Sequence, residues 1–110
     1  MRPKKMYVPK DKSELLDFLS AMLLSAPKFI DKTGYFPYQD LDYVFRQLNE
    51  GLSLNRLTFG EERYNQLKQM SGQMRALFEA DPEDKTGDTL KGCKSIHAME
   101  EILLQFRSKA

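Results

Sequence analysis

Apolar residues recur at three- and four-residue steps along almost the whole chain, in four separate stretches, and this periodicity is the strongest constraint on its fold. Such spacing puts the apolar side chains on one face of an α-helix. Helix one is expected over about residues 11–26. Asp11-Lys12-Ser13-Glu14 has capping-box spacing. Leu15, Leu19, Met22 and Ala26 share a face that Leu16, Phe18 and Leu23 widen, and Pro27 stops the run. Helix two is expected over 37–50. Pro37 suits a first turn, Leu41, Val44, Phe45 and Leu48 form the stripe, and Gly51 is placed as a left-handed terminus.

Helix three is expected over 58–80, with a second capping box at Thr58-Phe59-Gly60-Glu61. Its stripe is Tyr64, Leu67, Met70, Met74, Leu77 and Phe78, Ser71-Gly72 can bend it midway, and Asp81-Pro82 ends it. At 1.5 Å per residue it would be about 34 Å long. Residues 81–94 form a long polar loop, and helix four follows over 95–108 with Ser95 as N-cap and Ile96, Met99, Ile102, Leu103 and Phe106 buried. Four amphipathic stripes must be buried against each other, so the expected fold is all-α, a compact four-helix bundle. The strand signal is confined to Met6-Tyr7-Val8, too short and too close to prolines to stand.

With 110 residues, 41% of them hydrophobic and 30% charged, the chain is expected to form a single domain over 1–110 with residues 1–10 a basic N-terminal tail. No apolar run approaches the roughly 20 residues of a membrane span, no signal-peptide core follows the basic start, and Cys93 is the only cysteine. Cytoplasmic residence without a membrane partner is the expectation. The net charge of +1 divides unevenly. Arg2, Lys4, Lys5, Lys10 and Lys12 against Asp11 make residues 1–12 net +4 and the remainder −3. The tail supports an alternative reading as a small nucleic-acid-associated regulator.

Chemistry-bearing motifs are sparse. Asp-Lys-Thr-Gly occurs at Asp31–Gly34 and again at Asp84–Gly87. The P-type ATPase phosphorylation motif shares this tetrapeptide, but that chemistry needs the Asp at the end of a buried parallel strand, and neither copy follows one. As calcium loops, the registers starting at Asp31, Asp81 and Asp84 all lack the structural glycine at position six and the glutamate at twelve. Two turns, each with glycine at positive φ, are the expectation. His97, the single histidine, and Cys93 lack the orienting third group that a nucleophilic pair requires. No acid pair stands out among Glu61, Glu62, Asp81, Glu83, Asp84, Glu100 and Glu101. No enzymatic activity, catalytic residue, metal or cofactor is therefore expected.

What remains is surface. Tyr43 lies nearly opposite the helix-two stripe beside Asp40, Gln39, Arg46, Gln47 and Glu50, and exposed tyrosines among polar residues are interface anchors. Asp81, Glu83 and Asp84 could steer a basic partner. The candidate partner-binding residues are thus Tyr43, Asp40, Gln47, Glu50, Asp81, Glu83 and Asp84. Leu16 and Leu24 mark a candidate homodimer face.

The stretch from a Tyr35–Leu48 helix, through Arg56-Leu57-Thr58-Phe59-Gly60, to Leu77-Phe78-Glu79-Ala80-Asp81-Pro82-Glu83 resembles a small all-helical family of immunity proteins. That family neutralises NAD(P)-degrading effectors of bacterial type VI secretion. The resemblance covers about residues 35–83, and the second Asp-Lys-Thr-Gly copy and the basic start lie outside it. It implies a non-catalytic cytoplasmic protein that binds a cognate toxin domain and blocks its active site by steric occlusion. It transfers no individual contact residues.

Overall fold

The computed structural model describes residues 6–31, 33–35 and 37–106. They form helices α1 (Lys12–Ser25), α2 (Leu41–Leu54), the single turn α3 (Arg56–Phe59), α4 (Glu61–Ala80) and α5 (Asp88–Gln105), with no strand among the described residues. The four long helices close a ring in which α1 packs on α2, α2 on α4, α4 on α5 and α5 on α1. Side-chain pairs set the directions. Lys12 reaches the carbonyl of Phe106 and Ser20 reaches Glu100, so α1 and α5 are antiparallel. Arg75 binds Asp42, Ser71 binds Asn49 and Tyr64 meets Ser53, so α2 and α4 are antiparallel as well. With neighbours in the ring alternating in direction, this is an up-down-up-down bundle.

Each expected stripe is buried: Leu15, Leu19 and Met22 on α1; Val44, Phe45 and Leu48 on α2; Tyr64, Leu67, Met74 and Phe78 on α4; Ile96, Met99 and Leu103 on α5. The helix limits differ at three places, each for a local reason. The second helix begins at Leu41 rather than at Pro37, because the Asp40 carboxylate caps it by accepting the Tyr43 N–H at 2.8 Å. It runs through Gly51 to Leu54. Gly51 is not a left-handed terminus. A β-carbon there would lie 2.8 Å from the Pro9 ring and 3.2 Å from Leu15, so glycine lets the N-terminal segment and α1 press onto the helix backbone.

The expected helix from Thr58 is instead two helices. Arg56–Phe59 makes one turn, and α4 starts afresh after Gly60, reinforced by an Arg56–Glu61 ion pair. It continues unbroken through Ser71-Gly72. The last helix opens at Asp88, so Ser95 lies inside it and the polar loop shortens to residues 81–87. Its buried face extends backward through Gly92 and Thr89, residues too small or too polar to register as an apolar stripe. Residues 107 and 108 of the expected helix lie outside the described residues, and Phe106 is the C-cap.

Phe29 was not expected in the core. It lies in the loop between α1 and α2 and is fully buried, its ring edge-on to Phe45 at 5.6 Å and to Phe78 at 5.0 Å. Its backbone sits at φ 59°. A left-handed residue other than glycine costs roughly 1–2 kcal/mol. Burying a phenylalanine contributes roughly 1.5–3 kcal/mol, and each edge-to-face contact about 0.5–1.5 more, so packing outweighs the strain.

Phe78 in turn rests on Gly92, where an added β-carbon would stand 2.6 Å from two atoms of the ring. The ring is held by Phe29 and Phe45 and has nowhere to move. Gly92→Ala is therefore expected to lower stability by about 1 kcal/mol or more, overpacking exceeding the gain in helix propensity. Gly72→Ala, with nothing within 4 Å of the new carbon, is expected to raise it by about 0.5–1 kcal/mol. Denaturant unfolding of the two variants checks the opposite signs.

Candidate interaction surface

One end of the bundle gathers the C-termini of α1 and α4, the N-termini of α2 and α5, and the two longest connections. The first connection leaves α1 at Ala26, turns through Pro27, plugs Phe29 into the core and emerges at Ile30 and Asp31. There the Asp31 carboxylate accepts both the N–H and the hydroxyl of Thr33, at 3.1 and 2.7 Å. Gly34 and Gly87, the last residues of the two Asp-Lys-Thr-Gly copies, sit at φ 84° and 90°, as turns of this kind demand. Lys32 lies outside the described residues.

This end exposes apolar surface. Leu24 is 91% exposed, Tyr35 82% and Ile30 46%. Two grooves flank Ile30. One, of about 290 Å3, runs from Leu24, Pro27 and Lys28 to Pro82, Glu83 and Asp84. The other, of about 250 Å3, lies between α1 and α2, with Phe18, Ala21, Met22 and Val44 among its apolar lining and Asp31, Gln39 and Gln47 among its polar lining. The Lys28–Glu83 pair at 3.2 Å spans two exposed side chains, so it contributes little to stability.

The residues anticipated as partner contacts fall into two groups. Asp40, Tyr43 and Glu50 lie on the outward side of α2, and Glu83 and Asp84 on the 81–87 loop at the same end of the bundle. Tyr43 is half-buried, its ring 5.1 Å from that of Tyr38. Gln47 and Asp81 are corrections, because both are turned inward. Gln47 is buried and donates its amide N–H to the Tyr7 carbonyl at 2.9 Å. Asp81 is only 2% exposed. Its Oδ1 accepts the N–H groups of Lys85 and Thr86, its Oδ2 accepts that of Thr89 inside the first turn of α5, and its carbonyl accepts the Thr89 hydroxyl. It is the fastener of the loop and a cap for a helix that begins seven residues later.

Ile30 and Tyr35 were not among the anticipated contacts, and Leu24 was anticipated only as part of a dimer face. Leu24 was legible because it is a leucine of helix one outside the Leu15, Leu19, Met22 and Ala26 face. Ile30 and Tyr35 were not, because a loop has no periodicity to be out of step with. Leu16, paired with Leu24 as a dimer face, is half-buried against the core. Of the basic tail, residues 1–5 lie outside the described residues. Lys10 donates its backbone N–H to Glu14, and the Lys12 ammonium is engaged by the Phe106 carbonyl.

The remaining chemical candidates are dispersed. His97 Nδ1 lies 3.0 Å from Glu100 Oε1, and the Ser20 hydroxyl donates to Glu100 Oε2 at 3.0 Å. The carboxylate thus sits between hydroxyl and imidazole, whereas a nucleophile relay requires the imidazole in the middle. The His97 side chain is 66% exposed. Burial, aided by Asp84, raises the Cys93 thiol above its ordinary pKa and so depletes the reactive thiolate. Among the described residues, no three His, Cys, Asp or Glu side chains are grouped to hold a metal ion, and no helix is long and apolar enough to cross a membrane.

The class this fold defines is an antiparallel four-helix bundle with an added single-turn helix. No protein-family model, curated protein or solved structure matches the chain.

Burial alone would raise the Asp81 pKa. The N–H groups of Lys85, Thr89 and Thr86, with the Thr89 hydroxyl, outweigh it and hold the carboxyl well below the usual carboxylate range. A carboxylate depressed in the folded state stabilises above its unfolded pKa, and that contribution fades as pH falls through and below the ordinary aspartate value of about 4. Asp81→Asn is expected to be less stable than the parent at neutral pH, with the gap narrowing on acidification. Urea midpoints measured at a series of pH values check it.

Proposed function

We propose that this chain is a non-catalytic protein-binding module that acts as an immunity or inhibitor protein, covering the active site of a bacterial toxin domain. The observation that carries the reading is the coincidence, at one end of the bundle, of exposed Leu24, Ile30 and Tyr35 with Asp31, Asp40, Glu83 and Asp84. Large exposed apolar side chains set among charges are the makings of an interface core and its polar rim. They stand on a scaffold whose two connecting loops are held by Phe29 and Asp81, so little ordering is needed on binding.

The identity of the partner rests on the resemblance of residues 35–83 to immunity proteins of NAD(P)-degrading effectors. Charge supports the same direction. A cleft that binds dinucleotide phosphates is electropositive, and an acidic surface complements it and steers the encounter. Occlusion then needs no reactive group on the inhibitor, only contact area and correct sign of charge. The cytoplasm is the compartment this role requires, since the toxin acts on nucleotide pools there.

The test is titration calorimetry against the catalytic domain of an NAD(P)-degrading type VI effector, taken from the same genome as this chain, with NAD hydrolysis followed in parallel. Inhibition is expected to saturate at one equivalent. Leu24→Asp with Ile30→Asp is expected to weaken binding at least tenfold, because both side chains are exposed and would sit at the centre of the contact. Thermal melting should stay close to the parent. Parental affinity in that double variant rejects this surface.

A further inference from the structure

Helix α5 buries one face and turns the other to water. Gly92, Ile96, Met99 and Leu103 lie in the bundle. On the outward side, Leu90, Lys94, His97, Glu101 and Leu104 follow one another at steps of four, three, four and three residues, which keeps them in one row along the helix. All five are exposed, Leu90 by 60% and Leu104 by 61%. The outward row of α4 is different. It runs Glu62, Gln66, Gln69 and Gln73 at the same steps, and α4 has no large apolar side chain among its exposed residues. The row on α5 instead carries a leucine at each end.

That row is matched by its own reverse. His97 is its midpoint, seven residues from either leucine, with Lys94 three residues before it and Glu101 four after. A two-fold axis beside His97 that lays a second α5 antiparallel on the first therefore brings Leu90 opposite Leu104 twice and Lys94 opposite Glu101 twice. A contact of this kind is isologous, the same patch serving both copies. The flanking positions add no repulsion, since Lys91 comes opposite Gln105 and Ala98 beside its own copy. Neither Lys94 nor Glu101 forms an ion pair among the described residues, whereas His97 is held by Glu100 at 3.0 Å. A parallel pair would set Lys94 on Lys94 and Glu101 on Glu101, so charge selects the antiparallel arrangement.

We propose that the outward row of α5 is a self-association surface on which a second copy of this chain docks, antiparallel, about a two-fold axis at His97. The leucines at the two ends supply the apolar contact, and the crossed Lys94–Glu101 pairs fix direction and register. The row is about 21 Å long at 1.5 Å per residue. One helix pair of that length buries less than the roughly 800 Å2 per partner of a standard stable interface, so the dimer is weak and forms with concentration. This surface shares no residue with the Leu24, Ile30 and Tyr35 end of the bundle, and it is distinct from the Leu16–Leu24 face that the sequence suggests.

Sedimentation equilibrium of the full chain, from about 10 µM to about 1 mM, measures the association. The average mass is expected to rise toward that of a dimer, less steeply as salt is added. Lys94→Glu and Glu101→Lys each set like charges opposite one another in both pairs, and each is expected to weaken association about tenfold or more. The double variant restores opposite signs and is expected to recover the parental association. Both positions are exposed, so all three variants should melt close to the parent. In a Cys93→Ser background, His97→Cys is expected to oxidise to a covalent dimer, because that position meets its own copy. Leu90→Cys, which meets Leu104, is not.

A parental mass that stays at the monomer value throughout overturns the proposal. So do single variants that associate like the parent, or a double variant as weak as either of them. Association lost in Leu24→Asp with Ile30→Asp and kept in Lys94→Glu moves the contact to the other face and overturns it as well. Because the two surfaces share no residue, failure of this one leaves the toxin-binding surface standing, and the reverse holds.

Discussion

The Phe78 ring lies where four parts of the chain meet. It projects from α4 onto Gly92 of α5, against Phe45 of α2 and against Phe29 of the loop that leaves α1. Remove the space at Gly92 and α4 cannot approach α5 this closely. Remove the ring and Phe29 loses the contact that offsets its left-handed backbone. The exposed surface at this end depends on the same cluster, because Ile30 follows Phe29 directly and Pro82 follows the end of α4. Ile30, Asp31 and Pro82 are thereby tethered to the core within one or two positions.

A second, polar anchor complements the aromatic one. Asp81 gathers three backbone N–H groups that the 81–87 loop and the first turn of α5 would otherwise leave unsatisfied. The helix it caps has Gly87 at its N-cap, which has no side chain to do the task. Between them, Phe29 and Asp81 tie residues 29–31 of the first connection and the 81–87 loop to the body of the bundle. Pre-organisation of this kind is what a binding surface needs to retain its contact energy. It also explains why Asp81, anticipated as a surface residue, is turned inward.

The outward side of the molecule was only partly legible. Tyr43, Asp40, Glu50, Glu83 and Asp84 do lie on the surface, and the structure brings the first two to the same end as the last two by making α2 and α4 antiparallel. Gln47 and Asp81 were misplaced, because polarity alone does not say whether a group points to water or to a buried backbone amide. Leu24, Ile30 and Tyr35 show the converse. Nothing in a loop's composition separates the phenylalanine that enters the core from the isoleucine next to it that does not.

The spacing of apolar residues was enough by itself to determine an all-helical fold and which face of each helix is buried, since the 3.6-residue period ties side-chain direction to sequence position without reference to any neighbour. The two Asp-Lys-Thr-Gly tetrapeptides marked the glycine turns, whose positive φ is a local property of the chain. The helix limits, the ring order and the inward fate of Phe29, Gln47, Gly51, Asp81 and Gly92 were decided only in three dimensions. Each of those depends on a contact between residues far apart in sequence, where a missing side chain, a distant carboxylate or a hydrophobic plug acts through space, and no local pattern records it.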